Sequence, residues 1–250
     1  PIHYTYKFFF DKLWRLLPYI NATSYNEIKN KKMVSNATVC IADFYRVLDQ
    51  FPVQDLHVTI PHFHHGQYYI DEFHKALNHC SSERKTQATQ EINHIKFALE
   101  ELAYFDEVVR QLPNRVVHFD TKISNFLFDE DFNVKALIDL DTLMPGSILS
   151  DVGDMIRTYS NKLGEESTDF DRIKADPETV ETIVDSILQH TQLTDLEKNH
   201  LFFAGKAITL MQSIRFLTDF LKGDVYYAVN HPFHNLNRAK NQFILYDSMN

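Results

Sequence analysis

A change of hydrophobic period in the middle of the chain constrains the fold most. Before Pro113, apolar residues recur three and four positions apart, as on one face of a helix: Ala37, Ile41, Phe44 and Leu48, then Ile92, Ile95, Leu99 and Leu102 within a longer helix spanning 84–110. A loop rich in His and Pro, 51–66, lies between them. From Val116 to Leu140 the period breaks into short apolar runs, Val116-Val117, Phe126 to Phe128 and Val134 to Leu140, around polar turns such as Asp129-Glu130-Asp131. After Ser150 the helical pattern returns and fills the rest. The class is α+β.

The ends of the chain carry further markers. Tyr4 to Phe10 and Trp14 to Leu17 read as two short strands joined by a turn at Asp11-Lys12, with helical pattern from Pro18 onward. Asp176-Pro177 places an N-cap before a proline at the first helical position. Thr194-Asp195-Leu196-Glu197 is a capping box for a helix running to about Leu221, with Gly223 as its C-cap.

Composition narrows the function classes. A formal charge of −9 leaves no dense Lys/Arg stripe to neutralise nucleic-acid phosphates. An acidic surface still admits a phosphate ligand when a divalent metal supplies positive charge locally. Two cysteines, Cys40 and Cys80, exclude a disulfide framework and fit a reducing compartment. No apolar run approaches a membrane span. The expected location is cytoplasmic.

The insert holds the chemistry: His118-Phe119-Asp120-Thr121-Lys122-Ile123-Ser124-Asn125, then Ile138-Asp139-Leu140-Asp141. Phosphoryl transfer needs a carboxylate at the attacking hydroxyl and ligands for a metal bridging the nucleotide phosphates. Asp120 suits the first task. Asn125 returns across a tight loop to offer its amide oxygen to Mg²⁺, and Asp139, at the end of a strand, supplies a hard anionic oxygen for the same ion. Lys122 sits close enough to offset charge on the moving phosphoryl. His118 reads as a structural residue bonded to the loop, and Asp141 as a second metal contact or a turn residue. Asp151 and Asp154 near a helix start suit the positive end of its dipole, and helix capping is their expected role. Arg157, three residues after Asp154, pairs with it or contacts sugar or phosphate. His62, His64 and His65 lack a zinc-ligand spacing and read as loop packing or substrate lining.

The pattern His-x-Asp-x-Lys-x-x-Asn followed by Ile-Asp-x-Asp resembles the protein-kinase-like small-molecule kinases, which include aminoglycoside and choline kinases. That resemblance implies ATP and Mg²⁺ as cofactors, Asp120 as catalytic base, and Asn125 and Asp139 as metal ligands. Ile138 to Gly146, Asp151 to Arg157, Gln212 to Tyr227 and His234 to Ala239 are similar to bacterial N-acetylhexosamine 1-kinases, as are the Trp14-Arg15-Leu16 strand and the Ile60 to His64 loop. Phe119 departs from the polar or glycine residue usual at its position. The narrower resemblance implies a sugar phosphorylated at its anomeric hydroxyl, with Arg215 and Tyr226 as sugar contacts. Kinases of this type cover ATP with a sheet lobe bearing a glycine-rich loop and a phosphate-pairing lysine. The six glycines here are not clustered, and Lys7 is too close to the hinge. Residues 1–20 are therefore expected to be the last strands and hinge of that lobe, and 21–250 the helical lobe, with catalytic loop 118–125 and metal strand 134–141. The chain reads as truncated and little active alone. Rival readings are a kinase for choline, ethanolamine or an aminoglycoside, and a non-catalytic binding protein of the same fold.

Overall fold

The computed structural model describes residues 6–250. Strands β1 (Tyr6–Phe9) and β2 (Lys12–Arg15) form an antiparallel hairpin. Its turn is centred on Phe10 and Asp11, both at positive φ (50° and 55°), one residue earlier than the sequence reading placed it. Two positive φ values match the right-handed twist of the strands they join. Tyr4 and Thr5, assigned above to the first strand, lie outside the described residues. The helical pattern expected from Pro18 does not begin there either. Thr23–Ser24 is a short strand, β3, because the edge of a later strand offers it partners and Ser24 Oγ donates to the Ser124 carbonyl at 2.7 Å.

Helix α1 (Lys31–Leu48) starts where the Asn30 side chain accepts the Met33 N–H at 2.9 Å. It buries Met33, Val34, Ala37, Ile41 and Tyr45. Helix α2 (Gly66–His79) was hidden behind the histidine-rich loop, although Ile70, Phe73 and Leu77 give it a buried face. The single helix expected over 84–110 is two, α3 (Ser82–Gln87) and α4 (Thr89–Val109), divided at Ala88. Arg84 anchors the first of them. Its guanidinium lies over the Phe220 ring and donates to Asp224 at 2.6 Å, which fixes α3 on the molecule independently of α4.

The insert contains β4 (Arg115–Val117), β5 (Phe126–Phe128), β6 (Val134–Leu137) and β7 (Met144–Gly146). Strand β4 pairs with β7, and β3, β5 and β6 form a three-stranded sheet in that order, all antiparallel. Helices α5 (Ile148–Ser160), α6 (Pro177–His190), α7 (Asp195–Lys222) and α8 (His234–Asp247) complete the chain. Asp176 caps α6 ahead of Pro177, and Thr194 and Glu197 form the reciprocal capping box of α7. Gly223 ends α7 at φ 100°.

Helix α7 is the axis of the molecule, packing on α2, α4, α5 and α8. Its crossing with α5 is close enough that a Cβ on Gly153 would fall 2.6 Å from the Ala204 carbonyl oxygen. That contact is with backbone, which has little room to move, so α5 has to carry glycine there. Helix α5 is thereby held directly beneath the insert.

Candidate active site

The loop after β4 is pinned by side chains at nearly every backbone group. Asp151, fully buried in the first turn of α5, accepts the N–H of His118 (2.9 Å) and of Phe119 (2.6 Å), and also the Tyr45 hydroxyl (2.7 Å). Thr121 Oγ1 donates to the Asp151 carbonyl at 2.8 Å, Tyr159 donates to the Thr121 carbonyl at 2.7 Å, and Thr142 donates to the His118 carbonyl at 2.6 Å. Buried polar groups need such partners, and a network satisfied in this way rigidifies the loop that contains it. The helix-dipole role expected for Asp151 is thus a minor one: Ser147 caps α5, and the Asp151 carboxylate serves the loop. Burial pushes this carboxyl up, while the N–H groups of His118 and Phe119 and the Tyr45 hydroxyl pull it back toward the ionised form.

His118 ties the loop to the next strand. Its Nδ1 accepts the Asp120 N–H at 3.3 Å and its Nε2 reaches the Ile138 carbonyl at 3.0 Å, an arrangement that fits the neutral tautomer protonated on Nε2. Ile138 N–H in turn donates to the Asn125 carbonyl at 2.9 Å. The residue after Ile138 is Asp139, so one imidazole sets the spacing between Asp120 and Asp139. Asp139 itself departs from expectation. It does not end a strand, because β6 stops at Leu137; it sits just beyond, in the left-handed region (φ 62°), which turns its carboxylate out of the sheet.

Asp120 Oδ2 accepts from Lys122 Nζ (2.7 Å) and Asn125 Nδ2 (3.0 Å), and Asn125 Nδ2 also donates to the Asp120 carbonyl (2.8 Å). Oδ1 of Asp120 has no hydrogen bond among the described residues. Partial burial works against the Lys122 charge, but Asp120, with Asp139 and Asp154 beyond it, outweighs that and raises the ammonium above the ordinary lysine value. The lysine stays cationic.

The donor set suits a hard divalent cation. Asn125 uses both ends of its NH₂ on Asp120, which leaves its amide oxygen as the free acceptor, and the Asp139 carboxylate has no partner among the described residues. No group of three or more His, Cys, Asp or Glu gathers for a metal among those residues. Magnesium is commonly held by one or two protein oxygens, with phosphate and water completing the octahedron. The residues fit Mg²⁺ in that mode and do not make a zinc site: His65 caps α2, while His62 and His64 stack on Tyr68 and Phe63.

The Asp141 carboxylate is engaged by the hairpin. Both its oxygens accept from Arg15 (2.7 and 3.0 Å), which joins the β1–β2 hairpin to the insert. Arg157 is committed to Asp154 (2.9 Å), Glu165 (3.0 Å) and Gln242 (3.2 Å). Burial works against its charge, yet the two carboxylates hold it above the ordinary arginine value.

Phe119, at φ 66°, explains why a small or polar residue is usual there. Its ring packs on Phe63 (5.7 Å) and His64 (5.5 Å), over Gly146, where a Cβ would lie 2.4 Å from it. Phe63 then forms one wall of a cleft of about 290 Å³ that also contains Arg215 and Tyr226. The loop that carries Asp120 thus meets this cleft through the Phe119–Phe63 contact, while Asp120, Lys122, Asn125 and Asp139 are not among its lining residues. Arg215 lies over three rings, Phe63 (5.1 Å), Tyr69 (5.3 Å) and Tyr227 (5.7 Å). Sequence reasoning did not single out Tyr69, Tyr227 or Asp219, whereas His64, expected to serve loop packing or substrate lining, packs on Phe63 and Phe119. Burial, with Arg215 and Arg157 adding to it, drives the His64 imidazole well below the ordinary histidine value, and its Nδ1 is buried with no hydrogen-bond partner among the described residues.

No helix among the described residues is long and apolar enough to cross a membrane. The sequence model described as the phosphotransferase enzyme family matches residues 5–177. Among solved structures, the chain is similar to an aminoglycoside phosphotransferase from Alicyclobacillus acidocaldarius, at 13% identity and a TM-score of 0.66 over 98% of this chain and 73% of that one. It is also similar to a choline kinase from Cryptosporidium parvum, at 14% identity and a TM-score of 0.47 over 92% and 68%. The first likeness shows a shared fold, mainly helical with small sheets.

Proposed function

Because this chain belongs to the phosphotransferase enzyme family, we propose that it transfers the γ-phosphoryl of ATP to a small-molecule hydroxyl, the anomeric hydroxyl of an N-acetylhexosamine. The observation that carries this reading is Asp120: a carboxylate with one oxygen held by Lys122 and Asn125 and the other free, on a loop with no backbone freedom. Its Oδ1 takes the acceptor proton as the hydroxyl oxygen bonds to phosphorus and the bond to ADP breaks. Lys122 offsets charge on the transferred group, and the rigid loop supplies alignment. Mg²⁺, held by Asn125 Oδ1 and Asp139, would neutralise charge on the nucleotide phosphates. The β1–β2 hairpin, joined to Asp141 through Arg15, supports reading residues 1–20 as strands and hinge of a nucleotide-covering lobe, and 21–250 as the helical lobe.

The cleft favours a neutral acceptor over a cationic one. Choline would need an open aromatic cage. Here the rings of Phe63, Tyr69 and Tyr227 already face a guanidinium, which repels an ammonium group. The carboxylates in the lining are also engaged: Asp219 accepts four hydrogen bonds, and Glu72 pairs with Lys75 and Lys222. Aminoglycosides and ethanolamine meet the same obstacle. A sugar ring can stack on Tyr226 while Arg215 donates to its hydroxyl or acetamide oxygens.

Titration calorimetry with N-acetylglucosamine, N-acetylgalactosamine and choline tests the acceptor. A hexosamine is expected to bind and choline not, with Arg215→Ala weakening the sugar by about tenfold or more, the loss of a charged donor in a cleft. Choline binding that survives Arg215→Ala contradicts the sugar reading.

A further inference from the structure

The segment between α7 and α8 brings Tyr226 and Tyr227 to the cleft, and it is not held there by apolar packing alone. Asp219, in the last turn of α7 and 4% exposed, takes three successive backbone N–H groups of that segment. Oδ1 accepts from Val225 (3.0 Å) and Tyr226 (2.9 Å), and Oδ2 from Tyr227 (2.9 Å). Asn235, at the start of α8 and fully buried, adds its Nδ2 to Oδ2 at 2.9 Å and to Asp224 Oδ1 at 2.9 Å. The convergence of three N–H groups is possible because Gly223 and Asp224 both adopt positive φ (100° and 60°), which curls the chain into a concave nest. Further along, His234 Nδ1 accepts the Asn230 N–H at 3.0 Å and Arg238 donates to the Ala228 carbonyl at 3.2 Å.

A carboxylate in the last turn of a helix faces the negative end of the dipole, so helix stability does not account for Asp219. What it organises is the outer wall of the cleft. Tyr227 packs on Phe216 (4.7 Å), its hydroxyl accepts from Gln212 (3.3 Å), and Gln212 Oε1 accepts from Arg215 (2.8 Å). The orientation of the Arg215 guanidinium therefore depends on where Asp219 holds the backbone of Tyr227.

We propose that Asp219 is a positioning residue for the acceptor, fixing the Tyr226-Tyr227 segment and, through Gln212, the Arg215 guanidinium. Its use for a hexosamine rests on the function proposed above; the positioning itself does not.

Asp219→Asn tests this in the full-length protein, with Asn235→Ala as a second variant that removes the Asn235 bonds to Asp219 and Asp224 and leaves the three N–H bonds to Asp219 in place. Fluorotyrosine at 226 and 227 gives a ¹⁹F spectrum that reads the segment directly. Single sharp lines in the wild type are expected to broaden or split in Asp219→Asn and to shift less in Asn235→Ala. Acceptor Kd is expected to rise about tenfold or more in Asp219→Asn with ATP Kd unchanged, because a misplaced contact acts on the ligand it touches. Unchanged ¹⁹F lines in both variants overturn the proposal, as does an equal loss of ATP and acceptor affinity. If the wild type binds no hexosamine, the acceptor assignment fails, and the ¹⁹F lines alone decide the role of Asp219. Should Asp219→Asn not fold, Asn235→Ala decides through the same lines.

Discussion

Asp120→Asn in the full-length protein is expected to lower kcat for acceptor phosphorylation by about 10²–10⁴-fold, the usual contribution of a positioned general base. The amide has the same shape, and the bond from Asn125 Nδ2 to the residue 120 carbonyl does not depend on the substituted atom. The backbone also remains pinned by His118, Asp151 and Tyr159. The melting temperature should therefore stay near the wild-type value while turnover collapses. Steady-state kinetics beside a thermal melt measure both. Unchanged phosphorylation removes Asp120 from the chemistry.

The opposite signature is expected at Asp151. Replacing it with alanine leaves the N–H groups of His118 and Phe119 and the Tyr45 hydroxyl without acceptors in a closed interior. Each orphaned group costs roughly 1–3 kcal/mol, and removing a buried carboxylate recovers part of that sum, so a loss of about 3–5 kcal/mol is expected. For a chain of this size that is a fall of about 10 °C in melting temperature. Turnover should fall with it, since the loop that carries Asp120 loses its clamp. Circular dichroism melts check the first part. A melting temperature unmoved by Asp151→Ala means that the loop is held by something else.

Legibility in the sequence followed the distance over which each interaction acts. Asp120, Lys122 and Asn125 are read easily because they bond to one another within one loop, and their spacing is their geometry. The caps at Asp176, Thr194 and Gly223 are local for the same reason. Asp151 was read as a dipole partner because its position in the first turn suits that role equally well; its acceptor role involves residues 118 and 119, which sequence spacing does not connect to it. Strand β3 exists only because β5 offers it an edge, and no propensity in Thr23-Ser24 announces that. Helix α2 carried a readable face in Ile70, Phe73 and Leu77, but polar residues and the preceding histidines concealed it. Arg215 and Tyr226 entered through family resemblance alone. Their common cleft depends on how α2, α7 and the segment after Gly223 come together.

The proposed function requires Asp120 at the acceptor, with Asn125 and Asp139 holding one divalent ion beside it. Electron paramagnetic titration of Mn²⁺ with the ATP-bound, full-length protein tests it. Asn125→Ala and Asp139→Asn are each expected to weaken Mn²⁺ by about tenfold or more, as removal of a ligand or of its close support does. Wild-type Mn²⁺ affinity in both variants would contradict the account.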